Sequence, residues 1–443
     1  MKQITLENYR CFYRKQIAPL APLTLLVGDN STGKTSFLAM IRALWDCFYD
    51  YSNSGFPNFK EAPFDLGSFD EIAHHQSERS GPASTFEAGF CIGQNDMAEF
   101  VFAKSGTIPI PVSVRRSEED AWVHIFYDHQ GNHRVHVGTC RGTWEIPINA
   151  DTQGRLTSLL SSRRLLPLII PGIIYRDHIE HHENLIPIDG SPLFSEKDAH
   201  SIAGTEFTVL DFSGERPFLS APIRSRPRRT YDPATSILDP EGDYVPMLMA
   251  NLAMDHNQMW KELKQKLEKF GRSAGIFDEI HVKQLGRSGS DPFQVQIRKF
   301  GKKRKGPKQN LIDVGYGISQ VLPILTELLL PGNSKMALLQ QPEIHLHPSA
   351  QAALGGLFCE VASQGRQLIV ETHSQFMIDR IRMDVRDGKT DLKPENVSIL
   401  FFERTDTSVQ IHPIRIDELG NVLDTPNSYG RFFMEETSRS LGF

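Results

Sequence analysis

A mixed α/β fold, with an antiparallel β-rich subdomain and a helical insertion set into it, is what the order of apolar segments predicts. Three observations carry that prediction. A glycine-rich loop near the start separates an apolar strand from a helix with one apolar face; short alternating segments fill residues 85–148; and after residue 291 apolar strands and helices interleave. The 443-residue length is enough to bury one large core or two modest ones.

Taken in order, Gln3 to Glu7 and Leu23 to Gly28 are short apolar strands. Thr35 to Phe48 has helical spacing, with Phe37, Leu38, Ile41 and Leu44 on one face. From residue 85 to 148 runs such as WVHIFY and HRVHVG alternate between turns rich in Gly, Asn and Asp, the pattern of antiparallel sheet. Proline-rich loops at Pro222, Pro227, Pro233 and Pro240 precede one amphipathic helix expected from Val245 to Phe270, and no heptads extend it into a coiled-coil arm. FQVQI, ISQVLPILTELL, MALLQQ, RQLIVET and NVSILFF then follow one another as strands and helices of a parallel sheet. The expected division is 1–165, a 166–290 insertion, and 291–443.

Composition narrows the function. The formal net charge is −6, so no global positive field marks a nucleic-acid binder and such contact must come from a local patch. Five cysteines without a CxxC pair argue against a zinc site or a disulfide framework. The N-terminus lacks a signal layout and no run has the apolar length of a membrane span, so a soluble cytoplasmic protein with no membrane partner is expected.

GDNSTGKT, Gly28 to Thr35, fits GxxxxGK[ST] and lies between a predicted strand and a predicted helix. Gly28 and Gly33 let backbone N–H groups face phosphates, and the helix start adds partial positive charge. Lys34 reaches the β and γ phosphates, and Thr35 offers its hydroxyl to Mg²⁺. Three later features accompany it. DVGYGISQ, Asp313 to Gln320, makes a second glycine-rich helix start able to hold an anion. MALLQQPEIHLHP is an apolar strand with polar residues at its C-terminal end, where open α/β sheets place their ligands. LIVETHS is another, ending in His373, whose imidazole is suited to sense a γ-phosphate.

The order of GDNSTGKT, GYGISQ, QQPEIHLHP and ETHS resembles the P-loop, signature, Walker B with D-loop, and H-loop of ABC-type ATPases of the RecF, SMC and OLD branch, and ITLENYRCF resembles that branch's first strand. The resemblance implies an ABC ATPase head with ATP and Mg²⁺ as cofactors. Gly28, Asn30, Gly33, Lys34, Thr35 and Ser36 would hold the nucleotide and metal. Gly317 and Ser319 would meet the γ-phosphate bound to a second copy, making a homodimer closed by ATP, open to higher oligomers. Near FDLGSFDEIAHHQ a Q-loop is expected, with Gln76 or His75 directed at the Mg²⁺ or the attacking water.

The chain departs from the family where two acidic residues are expected and Gln340 and Gln341 stand instead. An amide can orient water or ligate Mg²⁺ weakly, but it cannot accept a proton as a carboxylate does. Glu343, beside Pro342, is the candidate base or metal ligand, and the alternative is an ATPase that binds ATP with little turnover. His345 with His347, and His178 with His181 and His182, are read as a loop and a solvated surface rather than metal pairs.

Two basic runs stand against the acidic balance: Arg298 to Lys308, expected on a hairpin before the signature, and RSRPRR with Arg224, Arg226, Arg228 and Arg229. Either could contact the phosphates of DNA or RNA without reading sequence. With no HNH signature and no Toprim acidic cluster after His373, intrinsic nuclease activity is not expected. Stand-alone heads of this kind resemble ATPase components of bacterial anti-phage defence systems acting on a separate effector protein, a nuclease or toxin. The rivals are a RecF-like DNA-binding repair ATPase and an ATP-stabilised scaffold.

Overall fold

The computed structural model describes residues 1–49, 57–77, 81–92, 96–118, 121–127, 133–146, 185–188, 191, 216–233, 239–255, 257–289, 291–301, 305–332 and 334–430. Two compact units emerge: one of residues 1–20, 30–214 and 402–411, the other of 21–29, 215–401 and 412–443.

The first unit is built on strands β1 (Gln3–Glu7), β2 (Gln16–Pro19) and β8 to β14. These last are Thr85–Cys91, Met97–Ser105, Ile108–Glu118, Ala121–Tyr127, His133–Thr139, Gly142–Ile146 and Ile186–Ile188. They form a nine-stranded sheet in the order β14-β13-β12-β11-β10-β9-β8-β1-β2, antiparallel throughout. Alternation of the β8–β13 segments thus produces a meander, as expected from their period of two. Its apolar face gathers aromatics, with the Phe86 and Phe102 rings stacked at 4.9 Å. Two small hairpins, β4 (Lys60–Glu61) with β5 (Phe64–Asp65) and β6 (His75–Ser77) with β7 (Gly81–Pro82), belong to the same unit, as do helices α1 (Lys34–Tyr49) and α2 (Phe69–Ile72).

The second unit centres on β3 (Leu23–Gly28), β15 (Phe218–Ser220), β19 (Met336–Gln340), β20 (Gln367–Glu371), β21 (Val397–Arg404), β22 (Val409–Ile416) and β23 (Val422–Leu423), in the order β15-β19-β20-β3-β21-β22-β23, except that the hairpin end of β21 and β22, residues 402–411, is assigned to the first unit. β15, β19, β20 and β3 run parallel. Every residue of β3 and β19 is buried, which explains why these strands are near-continuous apolar runs without alternation: a parallel sheet is covered on both faces. Register sets Gln340 beside Glu371 and Glu371 beside Leu26, so β19 and β20 end level with one another and β3 runs two residues further.

Over the helix expected at 245–270 the described residues form α3 (Val245–Asp255) and α4 (Asn257–Ala274). Buried Val245, Met249 and Leu252 on the first continue in phase with buried Trp260, Leu263, Leu267, Phe270 and Ala274 on the second. One 3.6-residue stripe spans both helices, the periodicity from which the sequence predicts helix here. The expected hairpin before the signature is present as β17 (Phe293–Phe300) and β18 (Lys305–Asn310), flanked by β16 (Glu279–Gln284). Helices α5 (Tyr316–Leu329), α6 (Pro348–Ser363) and α7 (Gln375–Arg386) complete the unit. Among the described residues no helix is long and apolar enough to cross a membrane.

Candidate functional site

The loop GDNSTGKT leaves β3 and opens α1. Gly28, Ser31 and Gly33 have φ of 143°, 61° and 86°, a positive-φ backbone of the kind in which loop N–H groups can converge on an anion. Gly33 is required twice over. Besides its left-handed φ, a Cβ there would lie 2.3 Å from the Cys11 sulfur and 3.0 Å from the Phe12 ring. The 9–12 turn underneath holds the loop: the Cys11 thiol points at the Thr32 carbonyl at 3.8 Å, and the Tyr9 hydroxyl donates to the Ser36 carbonyl at 2.8 Å. Arg404, on the hairpin end that belongs to the same unit, donates to the Ser31 carbonyl. Lys34 is buried with Nζ 3.5 Å from the Thr32 hydroxyl, while Asn30 and Thr35 are exposed. Tyr9, Cys11 and Arg404 escaped the sequence reading because their role is contact from distant positions, which no local motif encodes.

The ends of β19 and β20 carry the other predicted groups. Glu343 is 8 % exposed; its Oε1 accepts from the Thr372 hydroxyl at 2.8 Å and from the His373 N–H at 2.7 Å, and Oε2 has no partner. Burial pushes the Glu343 carboxyl above its ordinary range, against the pull of those bonds and of Arg224. Gln340 is buried, with Oε1 also unpartnered. Gln341 takes a left-handed φ of 42° while its N–H donates to the Glu371 carbonyl at 2.8 Å, a conformation that turns the chain sharply out of the strand. Thr372 N–H donates to the Leu26 carbonyl at 3.1 Å, tying this corner to the strand that feeds the P-loop. Two buried acceptor oxygens awaiting a donor or cation, on Gln340 and Glu343, fit a hard oxygen-seeking ion such as Mg²⁺ and its water. Of the expected Q-loop, Gln76 lies in β6 with its side chain outside the described residues, and His75 is exposed with Nε2 2.8 Å from the Asp70 carbonyl.

The signature turn is the N-terminus of α5, capped by Gly315. Gly317 is the close-approach position, since a Cβ there would meet the His345 carbonyl at 2.3 Å. The Tyr316 and His345 rings meet edge-on at 5.2 Å. Ser319 falls within the first turn but faces inward: it is 6 % exposed and its hydroxyl donates to the Tyr316 carbonyl at 2.8 Å. His347 caps α6, its Nδ1 accepting from the Ser349 N–H at 3.4 Å, and His345 sits in a left-handed turn. His178, His181 and His182 lie outside the described residues.

Arg224 overturns its sequence reading. Expected in an exposed basic run, it is 1 % exposed, because its guanidinium makes four hydrogen bonds to oxygens inside the protein rather than to phosphate outside it. Nε donates to the Ser220 hydroxyl at 3.1 Å, Nη1 to the Gln320 carbonyl at 3.1 Å, and Nη2 to the carbonyls of Gln340 at 3.0 Å and Gln341 at 3.3 Å. Burial lowers its pKa to about 10, with the Glu343 carboxylate opposing the drop. Arg228 and Arg229 are exposed but ion-paired, with Asp243 and Asp313 at 2.6 Å each. In the other run Arg298 and Lys305 share Glu279 at 2.8 Å, and Lys302, Lys303 and Arg304 lie outside the described residues.

Residues 1–79 match the family described as "AAA ATPase domain", and residues 207–379 match that described as "AAA domain, putative AbiEii toxin, Type IV TA system". The first span holds the P-loop; the second holds the signature turn, Gln340, Glu343 and His373. Both matched families are ATPase-type AAA domains, in keeping with an ATPase of this general type. Among solved structures, similar chains include the Smc head bound to the C-winged helix domain of ScpA, at 9 % identity over 94 % of this chain and 98 % of that one, with a TM-score of 0.43. The SMC head domain from Thermotoga maritima is 12 % identical over 94 % of this chain and 99 % of that one, TM-score 0.39. The Smc head with an extended coiled coil from Pyrococcus furiosus is 10 % identical over 100 % and 98 %, TM-score 0.42. No curated protein matches the chain.

Proposed function

We propose that the chain binds and hydrolyses ATP as a nucleotide-gated dimer switch, the sensor ATPase of a bacterial anti-phage defence system controlling a separate nuclease or toxin. The observation that supports this best is the corner at the ends of β19 and β20, where Glu343 is fixed by Thr372 and His373 with one oxygen left over. In this reading residues 1–165 and 291–443 form the head and 166–290 the insertion. The toxin named in one family description is in keeping with a defence role.

The P-loop N–H groups and Lys34 bind the triphosphate, and the open end of α5 in a second copy closes over it. Ser319 reaches the partner's γ-phosphate by rotating its hydroxyl away from the Tyr316 carbonyl. Glu343 takes the proton of the attacking water and His373 orients it, while Gln341 shapes the turn beside them. Thr35, Gln340 and Gln76 are the residues that would hold Mg²⁺, which when bound neutralises charge on the β and γ oxygens.

The test is complementation. Lys34→Ala and Ser319→Ala should each abolish ATP-dependent dimerisation measured by light scattering. Mixed in equal amounts they should recover about a quarter of the wild-type pockets, the share set by random pairing in a two-fold dimer. A mixture as inactive as its parents, or nucleotide wholly enclosed by a monomer, contradicts the proposal.

A further inference from the structure

We infer that Arg224 is a positioning residue that locks the signature helix to the end of strand β19, so that a change at Gln340 and Gln341 is passed to the turn a second copy would meet. The geometry is specific to a guanidinium. One planar fork spans the Gln320 carbonyl on α5 and the Gln340 and Gln341 carbonyls where β19 ends, and Nε anchors it to Ser220 at the end of the neighbouring strand β15.

The backbone completes the clamp. Arg224 N–H donates to Gln320 Oε1 at 3.1 Å, and Gln320 Nε2 donates back to the carbonyls of Arg224 at 3.3 Å and Ser225 at 3.4 Å. Gln320, the residue following the signature serine, is therefore fully engaged with Arg224 on both its side chain and its carbonyl.

Two points separate this from ordinary core filling. A buried cation held by carbonyl dipoles, with the Glu343 carboxylate favouring its charge, is costly to bury, and a packed apolar side chain would fill the space without that cost. In addition, three of the four side-chain contacts go to main-chain carbonyls of the two segments that flank the proposed site, so any shift of the strand end must stretch a bond to the helix or carry it along.

This inference rests on the nucleotide reading above, and its test is chosen to keep the two apart. In Arg224→Lys the charge stays but a single nitrogen cannot span both segments. Hydrogen exchange on the nucleotide-free protein should rise together at 316–320 and 341–346 while β3 and β20 remain protected. Binding of a fluorescent ATP analogue should stay within about twofold of wild type, whereas ATP-dependent dimerisation and turnover fall at least about tenfold, a kcat effect rather than a KM effect. In Arg224→Ala, millimolar ethylguanidinium should restore part of the loss and ethylammonium should not. Exchange that rises in only one of the two segments overturns the inference, as does nucleotide affinity that falls in step with turnover. If the wild-type protein binds no ATP, the nucleotide reading fails, and the paired exchange still decides whether Arg224 ties helix to strand.

Discussion

Replacing Glu343 with glutamine is expected to cut ATP turnover by about 10²–10⁴-fold, the range for losing a positioned general base, with ATP affinity near wild type. The amide oxygen can still accept from Thr372 and His373, so the corner keeps its shape. Only proton acceptance is lost. Nucleotide-bound dimers should therefore accumulate, which light scattering after ATP addition would register. Stability should respond in the opposite sense to turnover. The Glu343 carboxyl titrates above its ordinary range in the folded protein because burial penalises the charge, so the unfolded chain gives up this proton at lower pH. Ionised Glu343 consequently costs stability, from nothing below the unfolded value to its full extent above the folded one. Thermal melts of wild type and Glu343→Gln should coincide in acid and separate in favour of the variant as pH rises through that window. The gain is limited because the variant also removes the negative charge that favours buried Arg224. Turnover within threefold of wild type would remove Glu343 from the mechanism, and if the wild-type rate is itself near background the chain is a nucleotide-binding scaffold.

Much of this was legible in the sequence because parallel strands and phosphate loops are local patterns. LTLLVG, MALLQ and QLIVE are apolar without alternation because both faces of their sheet are covered, and the last two end in a polar residue, Gln340 and Glu371. The β-rich meander was equally plain from its period. What the sequence hid is long-range. Arg224 reads as one more basic residue in RSRPRR until Gln320, 96 positions away, and Gln340, 116 positions away, are found around it. Its neighbours Arg228 and Arg229, four and five residues on, do stay at the surface. Composition cannot separate them, because the difference lies in which carbonyls the fold presents to each side chain. Gly317 reads in the sequence as part of an anion-binding turn, and the structure shows it letting α5 approach the His345 carbonyl. Ser319 lies in the first turn of α5, and its inward hydroxyl is a contact that spacing alone does not encode.

Gly33→Ala should be the most damaging substitution in the P-loop that leaves Lys34 in place. Alanine at a left-handed φ costs about 1–2 kcal/mol. Its methyl group would also overlap the Cys11 sulfur, and forcing an extra methyl into packed space typically costs about 1–3 kcal/mol. If the loop relaxes by abandoning its conformation, the N–H groups no longer converge, and about 3 kcal/mol of lost binding corresponds to about 100-fold in ATP affinity. The two causes can be separated. Cys11→Ala removes the sulfur, so the double variant Cys11→Ala/Gly33→Ala should regain about tenfold in affinity, the share of a repulsion near 1.4 kcal/mol, while the backbone penalty and the Phe12 contact persist. Cys11→Ala alone forfeits only a weak 3.8 Å contact to the Thr32 carbonyl and should bind almost as wild type. Nucleotide titrations of the four proteins form a double-mutant cycle. A coupling energy of zero would mean that the 9–12 turn does not brace the loop. Wild-type affinity in Gly33→Ala would go further, because it would show that phosphate binding does not require the left-handed glycine at all.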